Sequence, residues 1–259
     1  MVDISVREYI RWLPNEPSEP TWTIVLTTPE CRFVDVRVLK PPSSEEEHDN
    51  NITHLSRLDW AIAGTSSSTV LLPPNGQPGQ WLKHSRWHHW IDSRTPNAAE
   101  ADDEGDMFAH PSDAALTLER GRMVNPDTGN ETDYEEMWRS EPLETVPLLR
   151  SPAVSKDTAK VTCLALQWHG AENGGAQQGE VKRGLVVRLG QYCQAFARDN
   201  GEITVQRLKW DSDKRQWITQ VRIGEMELPT EVATHFAHDA QLDDEVRIGG
   251  AIWKVVEKS

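Results

Sequence analysis

Three histidines and three tryptophans fall within thirteen residues, WLKHSRWHHWIDS at 81–93. On a helix, His84 and His88 would share one face at i, i+4 and could grip one metal ion. On a strand, His88 and His89 point to opposite faces, and His84 and His88 share a face but lie about 13 Å apart. Two nitrogens of one zinc site must each come within roughly 2.0–2.1 Å of the ion, so the strand reading removes that pair. Trp87, Trp90 and Ile91 fit a helical spacing. Aromatic enrichment and the strand-rich surroundings weigh instead toward a barrel wall with its histidines at a polar face or rim. His110 or His169 could complete a site from a distance, but nothing selects either. No metal and no cofactor is expected.

Other chemistry is sparse. The phosphate-binding glycine loops, the G-x-S-x-G elbow, H-E-x-x-H and the EF-hand loop are all missing from the sequence. Glu135 and Glu136 are adjacent and would splay apart on a strand, so they are not an acid/base pair. Cys31, Cys163 and Cys193 are an odd set without short paired spacing, which argues against a disulfide scaffold or a CxxC zinc site. Cys193, in an apolar strand, reads as an inert core residue. Ser43 and Ser44 precede Glu45, Glu46 and Glu47 in a polar loop, the pattern an acidophilic kinase takes. They are candidate phosphorylation sites, each phosphate adding about −1.5 to −2 charge.

The net charge of −14, from 27 basic and 41 acidic residues, repels nucleic acid and anionic lipid, so neither is expected as a partner. No apolar run approaches the roughly 18 residues of a membrane helix. The N-terminal stretch lacks the charged and apolar regions of a signal peptide. A reducing, cytoplasmic compartment is therefore expected.

The elements that would carry these residues are short strands. TWTIVLT (21–27) alternates Trp22, Ile24 and Leu26. RFVDVRVL (32–39) sets Val34, Val36 and Val38 against Phe33, Asp35 and Arg37. LDWAIAGT (58–65) reads as a strand ending at Gly64, AALTLERGRMV (114–124) as another, and TDYEEMWR (132–139) fits either period. Residues 95–113 read as a long acidic loop. The proline-bearing stretch 141–159 reads as a linker. Beyond it come KVTCLALQW, GLVVRLGQYCQAFA broken near Gly190, a hairpin at Asp199-Asn200-Gly201, EITVQRLKW, QWITQVRIG, one short helix within 227–241, and a hairpin at Gly249-Gly250. Strands without crossover helices predict an all-β protein of meander-like barrels, at 18–140 and 160–259.

DWAIAGT (59–65), HWIDS (89–93), DYEEMWR (133–139), GLVVRLGQYCQAFAR (184–198) and GGAIWKVVE (249–257) resemble, in the same order, the fungal HRI family, named for interacting with a yeast casein-kinase-I homologue. The resemblance implies two tandem lipocalin-like antiparallel β-barrels, a cytoplasmic location with a nuclear pool, and a casein kinase I partner. It carries no catalytic signature. Two roles follow as expectations: a non-catalytic interaction or adaptor protein, or a carrier of a small apolar ligand with Trp60, Trp90 and Trp138 in the barrel wall.

Overall fold

A computed structural model describes residues 2–41, 54–71, 82–147, 161–170 and 181–259. Eight strands fill the first half: β1 (Asp3–Trp12), β2 (Thr21–Thr27), β3 (Arg32–Leu39), β4 (Leu58–Leu71), β5 (Leu82–Asp92), β6 (Glu104–Ala109), β7 (Leu116–Val124) and β8 (Glu131–Glu141). Each pairs antiparallel with the next, and β1 pairs with β8 to close the barrel. Closure satisfies every strand edge, so this half needs no helix to cover one. Three of the eight differ from the sequence expectation. The strand expected to end at Gly64 runs on to Leu71 as β4. Residues 3–12, outside the expected barrel range, form β1. Residues 104–109, expected as part of a mobile acidic loop, form β6, whose backbone pairs with β5 and β7.

The second half holds β9 (Cys163–His169), β10 (Lys182–Leu189), β11 (Tyr192–Asp199), β12 (Glu202–Asp211), β13 (Gln216–Ile223), the six-residue helix α1 (Thr230–His235), β14 (Glu245–Ile248) and β15 (Ala251–Lys258). The expectation of a second barrel is wrong here. These strands form one open sheet in the order β13-β12-β11-β10-β9-β15-β14, and its two ends do not meet.

The physical reason is burial on both faces. Cys163, Ala165, Leu185, Val187 and Phe196 face the barrel. The alternate residues Leu164, Leu166, Val186, Cys193 and Ala195 face the other way, under Ala233 and Ala237 of the α1 region. Arg188, buried, donates to the carbonyls of Ala233 and Thr234 and fixes α1 to that face. A sheet covered on both sides has no need to curl on itself.

The barrel turns its aliphatic face outward. Trp22, Ile24, Leu26, Val34, Val36, Val38, Ala61 and Ala63 pack against the open sheet. Polar pins cross this seam. Gln194 Nε2 donates to the carbonyls of Ile24 at 3.0 Å and Val34 at 2.9 Å. Arg207 donates to the carbonyl of Val36 at 2.6 Å and to Gln194 Oε1 at 2.7 Å. Glu257 on β15 accepts from Thr28 Oγ1, Glu30 N and Arg32 in and around the β2–β3 turn.

Candidate functional site: a charged cavity inside the barrel

Because the aliphatic residues of β1–β4 point outward, the alternate set points into the lumen. That set is Ser5 and Arg7 on β1, Thr21, Thr23 and Val25 on β2, Phe33, Asp35 and Arg37 on β3, and Ile62 on β4. Glu119 arrives from β7, and Tyr134, Glu136 and Trp138 from β8. The interior is therefore part aromatic and part ionic. A cavity of about 320 Å³ remains among these side chains. Asp3 at the start of β1 and Ser140 near the end of β8 line one end of it.

The apolar wall consists of Val25, Phe33, Ile62, Trp87, Met107 and Trp138, backed by Trp60. The ionic floor starts at Arg7, which reaches Glu136 at 2.5 Å, Glu19 at 2.7 Å and Thr21 at 2.9 Å. Arg37 lies 2.8 Å from Asp35 Oδ2 and 3.6 Å from Glu136. Burial opposes the charge on Arg37, but Asp35 and Glu136 outweigh it and hold the guanidinium ionised. Asp35 is 4% exposed, and its Oδ1 has no hydrogen-bond partner among the described residues.

Glu119 accepts from Tyr134 Oη at 2.7 Å and from Trp138 Nε1 at 2.9 Å. These bonds favour its ionised form, but burial and the nearby Glu136 and Asp103 charges win and raise its pKa to about 8. Glu119 thus holds a proton at neutral pH.

His89 takes the inward parity of β5, with its side chain fully buried. Its ring bridges two carboxylates, Asp92 at 3.0 Å and Asp103 at 2.8 Å. Burial pulls its pKa down, but the bonds to Asp103 and then Asp92 more than offset this and lift it to about 9. Asp92 also accepts from Trp60 Nε1 and from the backbone of Arg94. This bridge ties the segment leading into β6 onto β5, and so helps close the wall.

Both shifts carry a pH prediction. Glu119 and His89 have folded pKa values above their unfolded ones, so unfolding releases protons from both between about pH 6.5 and 8. Each proton lowers stability by about 1.4 kcal/mol per pH unit in that window. Stability should therefore fall across pH 6.5–8, and Glu119→Gln should remove roughly half of the slope. Urea midpoints at four pH values check this; an unchanged slope in the variant contradicts it.

The residues singled out from the sequence fall in different places. The 82–92 stretch is a strand, as the aromatic pattern indicates. His84 faces outward beside Asp106, and His88 stands near Ser67. Among the described residues, no group of three His, Cys, Asp or Glu is arranged to hold a metal ion. Trp138 lines the cavity. Trp60 lies behind it, under the guanidinium groups of Arg94 and Arg37. Trp90 faces the open sheet, against His169 and Arg183. Ser43 and Ser44 lie outside the described residues. Cys163 and Cys193 are buried, and burial pushes both thiols up to about 12.

Sequence reasoning misses the ionic set. Alternation makes Asp35 and Arg37 the polar face of a half-buried strand, and Glu136 a solvated carboxylate. The available signal is three barrel strands carrying charge at the same parity: Arg7 on β1, Asp35 and Arg37 on β3, and Glu136 on β8.

A family model described as Protein HRI1 matches residues 3–257. Among solved structures, the uncharacterized protein YLR301w from Saccharomyces cerevisiae is similar over 100% of this chain and 99% of its own, with a TM-score of 0.67 and 18% identity. At that identity the likeness speaks for the fold alone. No curated relative matches the chain by sequence.

Proposed function

We propose, on the premise that this chain belongs to the HRI1 protein family, that its barrel binds a small organic molecule without transforming it. The observation that carries this reading is the 320 Å³ cavity lined by aromatic side chains together with convergent polar groups. Its volume is at the lower end of small-molecule sites, roughly 300–1,000 Å³, and its mixed lining is what fixes a ligand's orientation. A purely apolar ligand, as in the carrier role read from the sequence, would leave the floor unmatched; a ligand with one polar end fits it better.

Native mass spectrometry of the full chain, purified gently and compared with its denatured mass, tests this. A non-covalent adduct of small-molecule mass, lost on denaturation, is the expected result. A bare chain that takes up no member of a polar-ended fragment set would overturn the reading.

A second reading keeps the interaction role. It is favoured by the open sheet, where among the described residues β13 pairs with β12 alone. Such an edge is a template for a partner's strand. A casein kinase I homologue is the partner that the family resemblance offers, in the cytoplasm. Direct binding between the two purified proteins would support it, and its absence at micromolar concentrations would count against it.

A further inference from the structure

We infer that the barrel cavity takes an organic cation carrying N–H donors on a flat apolar body, its cationic end bonded to Asp35. This rests on the reading of the barrel as a binding site and adds the chemical class of the ligand.

Asp35 supplies the first argument. A buried carboxylate oxygen without a donor costs free energy. Asp35 lines the cavity, is 4% exposed, and spends only its Oδ2 on Arg37; Oδ1 has no donor among the described residues. A ligand N–H placed there would satisfy it.

Charge supplies the second. Beside the protonated Glu119, four carboxylates line the cavity, those of Asp3, Asp35, Asp103 and Glu136, against two basic side chains, Arg37 and Lys83. Arg37 already lies within reach of both Asp35 and Glu136. Arg7 and His89 stand behind the lining and are engaged by Glu19 and Glu136, and by Asp92 and Asp103, respectively. An anionic ligand would have to draw Arg37 away from its carboxylates and would sit against the remaining acids. A cation meets neither cost, and the net charge of −14 attracts it from solution.

The aromatic lining supplies the third. Phe33, Trp87 and Trp138 border the same space. Aromatic faces stabilise a flat apolar body and attract a cation through the ring quadrupole.

Three probes of matched size separate the possibilities: 2-phenylethylamine, its neutral counterpart 2-phenylethanol, and the anion 3-phenylpropanoate. Each is titrated into the full chain by calorimetry at pH 7. The amine should bind at least about tenfold more tightly than the alcohol, equivalent to roughly 1.4 kcal/mol, and the anion most weakly. Asp35→Asn should bring the amine down to the affinity of the alcohol and leave the alcohol unchanged. Should the variant not fold, the three probes on the natural chain still decide. Equal or tighter binding of the alcohol or the anion overturns the cationic class and leaves the binding barrel standing. Binding of none of the three also overturns it, and the native mass spectrum then judges the barrel separately.

Discussion

His89→Ala should lower the stability of the chain by about 3–5 kcal/mol, the range for removing one partner of a buried ion pair. The loss arises because the carboxylates stay behind. Asp92 keeps the bonds from Trp60 and Arg94, whereas the Asp103 carboxylate loses its His89 partner and, among the described residues, only the backbone bond from Trp87 to the Asp103 carbonyl still ties that residue to β5. The size of the effect should depend on pH. A histidine raised from 6.5 to about 9 contributes fully below about pH 6.5 and loses its contribution as pH passes 9. The difference in urea midpoint between natural and variant chains should therefore be largest at pH 6 and shrink toward pH 9.5. A difference below about 1 kcal/mol, or one independent of pH, would show that the bridge does not hold the wall. His89→Gln, able to reach only one carboxylate at a time, should fall between the two.

Arg207→Met should cost about 3 kcal/mol and act on the union of the two sheets rather than on either alone. Replacing a buried charge by a hydrophobe is neutral in some proteins, because the desolvation penalty leaves with the charge. Here the acceptors stay behind when the guanidinium is removed. Gln194 Oε1 remains buried at the seam without the donor it has in Arg207 Nε, and the carbonyls of Trp22 and Val36 lose their bonds across the seam. Burial lowers the Arg207 pKa only to about 10, so the guanidinium is charged at neutral pH and its bonds are of the stronger class. Gln194→Leu should cost a similar amount, since it removes the neutral bonds to Ile24 and Val34 and also leaves Arg207 Nε without its acceptor. A chain that unfolds at an unchanged or higher denaturant concentration after Arg207→Met would contradict this account of the seam.

Period-two alternation makes most strands legible in the amino-acid sequence, and the hairpins at Asn200-Gly201 and Gly249-Gly250 fall where the turn residues put them. Alternation does not say which face is the lumen. Val34, Val36 and Val38 suggest the inside of a barrel, yet they face a second sheet, and Asp35 and Arg37 take the interior. The signal for the open sheet lies in CLAL at 163–166 and LVV at 185–187. Unbroken apolar runs mark strands buried on both faces, and an isolated barrel with a solvent-facing wall would alternate instead. Residues 3–12 and 104–109 escape recognition as strands because charge interrupts their pattern: Arg7 and Glu8 in the first, Glu104 and Asp106 in the second. In both, pairing with neighbours overrides weak local preference. The raised acid at Glu119 is not legible in the sequence at all, since it depends on carboxyl groups from residues 103 and 136 meeting in space.

The central claim is that a small molecule enters the barrel and lies against its aromatic wall. Tryptophan indole N–H resonances report on this directly, because Trp87 and Trp138 border the cavity while Trp22 and Trp90 lie outside it at the seam. Titrating 2-phenylethylamine into the nitrogen-15-labelled full chain should shift the resonances of Trp87 and Trp138 and leave those of Trp22 and Trp90 in place. Shifts confined to Trp22 and Trp90, or uptake of an adduct in the native mass spectrum with Trp87 and Trp138 unmoved, would put the binding site elsewhere and contradict the account.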